Sequence, residues 1–262
     1  MVRIRVAFLV SVFVVSLGCA SNSFARDDTD NVILVYHRFA PVVNDSMTVT
    51  TAVFKQQIEW LAAHKYRVVP LRALVEGFED RAPGPGPTVA LTADDGHRSV
   101  FTEMFPLLQQ YGMPVTLFIY PSAISNASYA LTWEQLGEMV RSGLVEVQSH
   151  TYWHPNFKTE AARLRHEDYE KFVANQLTRS KESISAHLGV AVDMLAWPFG
   201  IHDPELEKAA LHAGYIAGFT LERRHVRSGD DLLALPRYLL TDLDRGPRFA
   251  AILERGGSGR HP

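Results

Sequence analysis

Apolar residues in this chain fall in short dense runs, separated by longer stretches with helical spacing. NVILVYH (31–37) and TVALT (88–92) are nearly unbroken apolar runs of strand length, as expected of strands buried on both faces. The stretches 115–119, 144–148, 192–196, 215–219 and 235–239 read as further strands, and 66–69 as a shorter one. Between them, Val53, Phe54, Ile58 and Leu61 share one helical face behind a capping Thr50 or Thr51. Further helices are expected at 71–78, 98–111, 132–141, 203–213 and 246–254, with one long polar helical stretch over 160–187. Residues 38–50, with Pro41, Asn44 and Asp45, read as a loop. RAPGPGP (81–87) reads as a rigid surface turn and GGSGRHP (256–262) as a frayed tail. Strands and helices alternate without an internal repeat or a linker longer than a loop, which predicts one parallel α/β domain. Seven or eight β/α units at this length fit a (β/α) barrel better than an open sheet. Either architecture puts its chemistry at the C-terminal ends of the strands.

The first 25 residues stand apart from this pattern. Arg3 and Arg5 precede an apolar run from Val6 to Leu17, too short for a typical spanning helix, and Ser23-Phe24-Ala25 offers a cleavage site. A signal peptide at 1–25 followed by one domain at 26–262 is the expectation. An uncleaved anchor is a second reading. A third is lipid attachment at Cys19, although Ser16 stands where a lipobox has Leu. Each implies work outside the cytoplasm, in the periplasm or beyond, and the last two would tether the chain to a membrane.

Composition narrows the function. Of 262 residues, 26 are Lys or Arg and 29 are Asp or Glu, a net charge of -3 that lacks the basic footprint of a nucleic-acid binder. A lone cysteine excludes an internal disulfide and a multi-cysteine metal cluster. A monomer is expected.

Three strand ends carry candidate chemistry. Strand 88–92 runs into Ala93-Asp94-Asp95-Gly96-His97, strand 144–148 into Ser149-His150-Thr151-Tyr152-Trp153-His154, and strand 31–35 into Tyr36-His37-Arg38. Singly, these read equally as a capped turn, a chance pair of histidines and a core histidine. Together, one carboxylate and two imidazoles make a ligand set for Zn²⁺ or a similar divalent ion with a coordination position left for water. Successive residues at a strand end point in different directions. Asp95 can therefore face a metal with His150 and His154 while Asp94 faces the attacking water.

TADDG, HTYWH and LAWPFG (195–200) resemble the motifs of polysaccharide deacetylases with a NodB-like domain, carbohydrate esterase family 4. VILVYHRF and LPRYLL extend the resemblance over most of the chain, and the YHR segment is similar to the exported poly-β-1,6-N-acetylglucosamine branch. The resemblance implies a distorted, NodB-like barrel that hydrolyses the N-acetyl group of glucosamine units in an envelope or extracellular polysaccharide. It implies Asp94 as base and Asp95, His150 and His154 as ligands of Zn²⁺, with Co²⁺ or Ni²⁺ as alternatives. The family's usual C-terminal Leu-x-His motif does not follow residue 200, and the resemblance to the exported branch, which supplies its general acid from a histidine near the N-terminus, implies His37 in that role. Two departures stand out: Ala196 replaces the motif arginine that orients the base, and Phe199 replaces tyrosine. Arg237 is a candidate to supply the missing charge, or else a strand-end arginine paired with a surface carboxylate. The Phe199 N–H can still face an oxyanion, and Trp197, Phe199, Tyr152 and Trp153 are candidates for a sugar-binding floor. The alternatives are deacetylation of peptidoglycan, chitooligosaccharide or O-acetyl esters, or a silent glycan-binding protein.

Overall fold

A computed structural model describes residues 31–80 and 88–254. The expected leader at 1–25, the turn at 81–87 and the tail at 256–262 lie outside the described residues. The strands are β1 (Asn31–Tyr36), β2 (Arg38–Ala40), β3 (Thr48–Thr50), β4 (Arg67–Val68), β5 (Thr88–Asp94), β6 (Val115–Ile119), β7 (Val145–Ser149), β8 (Met194–Ala196), β9 (Ala217–Phe219) and β10 (Tyr238–Leu239). The helices are α1 (Thr51–Ala63), α2 (Leu71–Asp80), α3 (Phe105–Tyr111), α4 (Trp133–Arg141), α5 (Phe157–Arg163), α6 (His166–Leu188), α7 (Pro204–His212) and α8 (Pro247–Glu254).

Seven parallel strands curl into a half-barrel in the order β10-β1-β5-β6-β7-β8-β9, with β4 added beside the start of β5. The segment after α7 reaches both edges. Leu235 bridges Phe219 at the end of β9, and Tyr238 and Leu239 pair with Leu34 and Val35 of β1. The side-chain period of two then sorts the residues. Ile33, Ala90, Phe118, Met194, Ala196, Phe219 and Leu235 meet in an inner cluster with Leu71, Leu74 and Val75 of α2. Val32, Leu34, Val89, Leu91 and Leu117 face outward into a larger cluster with α1 and its fellow helices. The plug α2 is pinned by Arg72, which donates to Glu146 of β7 at 2.9 Å and to both oxygens of Asp193 at 3.1 and 2.6 Å.

Three expectations are corrected. The stretch 38–50 is not all loop, because β2 and β3 pair in parallel within it. The helix at 98–111 opens with a π turn, Val100–Met104, before α3. Pro106 has no N–H for the Thr102 carbonyl, so a regular ladder cannot run through. The long helical stretch is two helices, broken where Leu164 and Arg165 adopt extended backbone (ψ 151° and 152°). The break lets α5 bury Phe157 while α6 buries Val173, Leu177 and Ile184 separately. Thr50 is the cap of α1. Its hydroxyl accepts from Val53 N at 3.3 Å and itself donates to Asp242 at 2.7 Å.

Space is short at Gly218 of β9, where a Cβ would stand 2.3 Å from the Leu233 carbonyl oxygen and 2.7 Å from the Trp197 indole nitrogen. Gly218→Ala is expected to cost about 3 kcal/mol in a urea melt, from overpacking against backbone. Gly189→Ala, where a left-handed φ of 67° meets open space, should cost only about 1 kcal/mol.

Candidate metal and catalytic site

The inward-facing rows of the barrel end in the candidate residues. Ala90 and Thr92 lead to Asp94, Glu146 and Gln148 to His150, Ile33 and Val35 to His37, and Leu235 to Arg237, each two residues on. Tyr36 pairs with Ala93, so His37 sits one step on, beside Asp94.

Asp95, His150 and His154 bring one ligand atom each to within 4.8 Å of one another. Nε2 of His150 and Nε2 of His154 both lie 3.7 Å from Asp95 Oδ1. Tetrahedral zinc holds its donor atoms about 3.3 Å apart, so small side-chain shifts suffice to seat a cation. The donor set fits. Nδ1–H of His150 donates to the Ala196 carbonyl at 2.7 Å, which leaves Nε2 as the bare, ligating nitrogen. Burial is the main cause that lowers the His154 pKa, to about 4.

The backbone is bent to make this cluster. Asp95, Thr151, His154 and Phe199 all have left-handed φ, at 71°, 64°, 62° and 58°. At Asp95 the turn is completed by Gly96 (φ 69°), where a Cβ would meet Ile119 and Ile124 at 3.0 Å. At the histidine turn the Ser149 hydroxyl accepts from Thr151 N at 3.1 Å, and the Thr151 hydroxyl accepts from His154 N at 3.2 Å. Such local bonds hold conformations that cost about 1–2 kcal/mol per residue.

Asp94 is clamped by Arg237. Both groups are buried, and the guanidinium donates to the two carboxylate oxygens at 2.8 and 2.7 Å. Arg237 also donates to Thr92 Oγ1 at 3.2 Å and to the Thr220 carbonyl at 3.1 Å. The partner of Arg237 is thus the site carboxylate, not one at the surface. Burial raises the Asp94 pKa, but the charge of Arg237, with His150 and the Arg237 hydrogen bonds, outweighs it and brings the pKa to about 2. Asp94 Oδ2 stands 3.8 Å from His150 Nε2, beside the triad but outside it. Burial lowers the His37 pKa against the pull of Asp94 and Asp95, and its Nδ1 makes no hydrogen bond.

Phe199 packs its ring against His154 at 4.6 Å, and the turn's own bonds run from Gly200 N and Ile201 N, not from Phe199 N. Trp197 does not join the mouth of the barrel. It is 1% exposed, and its indole N–H donates to the Leu233 carbonyl at 2.7 Å. Trp197 faces outward from β8, one residue out of step with Ala196, so it belongs to the core. Tyr152 is covered by the Arg179 guanidinium 4.0 Å above its ring. Tyr120 and Tyr129, which line an open cleft with Trp153 and His154, were missed in the sequence. Tyr120 is two residues beyond the inward Phe118, a signal that could have found it; Tyr129 has none.

A polysaccharide deacetylase family profile matches residues 81–218, a span that holds the whole triad and Asp94. The chain belongs to the polysaccharide deacetylase family. The deacetylase is 26% identical over 200 residues to the poly-beta-1,6-N-acetyl-D-glucosamine N-deacetylase of Staphylococcus epidermidis, covering 74% of this chain and 68% of that one. It is also 26% identical over 242 residues to the Escherichia coli protein of the same name, covering 78% of this chain but 35% of the relative. Among solved structures, IcaB from Ammonifex degensii superposes with a TM-score of 0.77 at 28% identity, over 87% of this chain and 97% of that one. His37 and Arg237 lie outside the profile's span and reach the site only through the fold.

Two outcomes test this geometry. In urea melts of the chelated protein, Arg237→Met should cost about 4 kcal/mol at pH 7, because a buried carboxylate loses its partner. Asp94 is held below its ordinary value of 3.8, so the stability it contributes is complete above that pH and lost as pH falls toward 2. Without Arg237 burial instead raises the pKa of that carboxyl, so the variant is relieved as Asp94 takes up a proton, and the gap between the two proteins should narrow as pH drops from neutral toward about 3. Separately, zinc should raise the melting temperature of the unaltered deacetylase and of Asp94→Asn, but not of His150→Ala or Asp95→Ala, by scanning calorimetry.

Proposed function

We propose that the deacetylase removes N-acetyl groups from N-acetylglucosamine units of an exported polysaccharide, with a divalent cation held by Asp95, His150 and His154. The observation that carries this reading is Asp94, an ionised carboxylate fixed next to a three-donor cluster without belonging to it. The names of the relatives support a β-1,6-linked polymer as substrate. The basic and apolar pattern of residues 3–25 supports action outside the cytoplasm.

When bound, the cation supplies a Lewis acid that lowers the pKa of a water and polarises the acetyl carbonyl. The protein does the rest. Asp94 accepts a proton from the attacking water, and Arg237 keeps that carboxylate aimed and ionised. The water oxygen bonds to the carbonyl carbon, and the charge that develops on the carbonyl oxygen falls beside the Phe199 N–H. The C–N bond then breaks as His37 gives its proton to the nitrogen, leaving acetate and a free amine. Burial lowers the His37 pKa, so the protonated ring is the stronger acid, and the charges of Asp94 and Asp95 favour the proton it must first take up.

Acetate release from a defined β-1,6 N-acetylglucosamine oligomer should require added divalent metal and stop with chelator. His37→Ala should slow this amide cleavage about 100-fold and cleavage of an activated aryl acetate far less, since that leaving group needs no proton. Equal losses on both substrates would remove His37 from the role of acid. Release from O-acetyl esters or peptidoglycan alone would redirect the substrate assignment.

A further inference from the structure

The barrel wall below the donor cluster has a sparse seam. β6 and β7 pair over five residues, from Val115 with Val145 to Ile119 with Ser149, but β7 meets β8 at a single pair, Ser149 with Leu195. Below that pair, the side chain of Gln148 stands in for the ladder. Its Oε1 accepts from Asp193 N at 3.0 Å and from Met194 N at 2.9 Å. Its Nε2 donates to Glu146 Oε1 at 2.9 Å and to the Ala191 carbonyl at 3.3 Å. The oxygen faces two donors and the nitrogen two acceptors, so one orientation of the amide satisfies all four bonds. Gln148 is fully buried, and an amide is tolerated in an apolar interior only when its hydrogen bonds are made. Arg72 of α2 holds two of its neighbours, Glu146 and Asp193, from below.

The proposed reaction does not use Gln148, yet its position bears on the donor cluster. Gln148 and His150 are successive inward-facing residues at the end of β7, as Met194 and Ala196 are on β8. The bond from Met194 N to Gln148 therefore lies one strand period, about 7 Å, below the bond from His150 Nδ1 to the Ala196 carbonyl. The pair of Ser149 with Leu195 sits between the two. The lower bonds fix the height and spacing of β8 against β7, and so fix where the Ala196 carbonyl stands. A carbonyl displaced from His150 would no longer choose the tautomer, and a hydrogen on Nε2 would block that nitrogen as a ligand.

We propose that Gln148 is a positioning residue of the metal site: its amide sets β8 so that the Ala196 carbonyl holds His150 with Nε2 bare toward the cation. Gln148 touches neither cation nor substrate and acts through β8. This inference rests on the metal reading above.

The test compares Gln148→Met, which keeps the bulk and removes all four bonds, with Gln57→Met. Gln57 is likewise buried, and its amide accepts from the Tyr36 hydroxyl at 3.0 Å and donates to the Asp244 carbonyl at 2.5 Å, on the β1 side of the sheet. Zinc dissociation constants come from competition with a chromophoric chelator. The His150 tautomer comes from nitrogen NMR of the isotope-labelled, metal-free protein at about pH 8, where a free imidazole is neutral. The unaltered protein should bind zinc and carry the His150 hydrogen on Nδ1. Gln148→Met should weaken zinc binding about tenfold and bring the Nε2–H tautomer into His150. Gln148→Asn, whose amide stops one methylene short, should do the same and serves in its place if the Met variant does not fold. Gln57→Met, although less stable, should leave both readouts unchanged. Unaltered affinity and tautomer in a folded Gln148 variant, or equal losses in Gln57→Met, overturn the positioning role alone. Failure of the unaltered protein to bind zinc overturns the metal reading and this role with it.

Discussion

The pairing of Arg237 with Asp94 governs the site and the closure of the barrel at once. Two charges taken out of water cost several kcal/mol each, and they are tolerable only with full hydrogen bonding and good geometry. Here both oxygens of the carboxylate are engaged, the guanidinium finds two more acceptors, and the faces of Phe118 and Phe219 lie 5.4 and 6.0 Å from its central carbon. The pair spans 143 positions of sequence and links the β10 side of the sheet to β5, with β1 between them. A barrel open at that side would strand a buried carboxylate, so the chemistry and the fold depend on the same contact.

That contact also resolves the departure at Ala196. In the position where the resembled motif carries arginine, this chain has a small residue of the inner cluster. The Ala196 backbone carbonyl serves the site instead, by holding His150. The positive charge comes from the far end of the chain. A buried carboxylate that stays ionised is favoured by a nearby cation, whichever strand delivers it, provided the strand end faces the same interior.

Much of this was legible along the chain. The dense apolar runs became β1, β5 and β6, as expected of strands buried on both faces. β2 and β3 were not legible: three residues each, they carry no periodicity and exist because they pair with one another. The continuous helical spacing over 160–187 did not register the break at Leu164, where the composition stays helical and only the packing of Phe157 demands a turn.

The sequence by itself determined the alternation of strands and helices, the strand-end positions of Asp94, Asp95, His150, His154 and His37, and the donor set that Asp95, His150 and His154 make up. These are local matters of period and turn, carried by residues a few positions apart. Tertiary structure alone decided that Arg237 meets Asp94, that Trp197 turns into the core, and that Tyr129 stands beside Trp153. Those outcomes depend on strand order, on a side-chain parity that one residue reverses, and on loops that touch only after the sheet has curled.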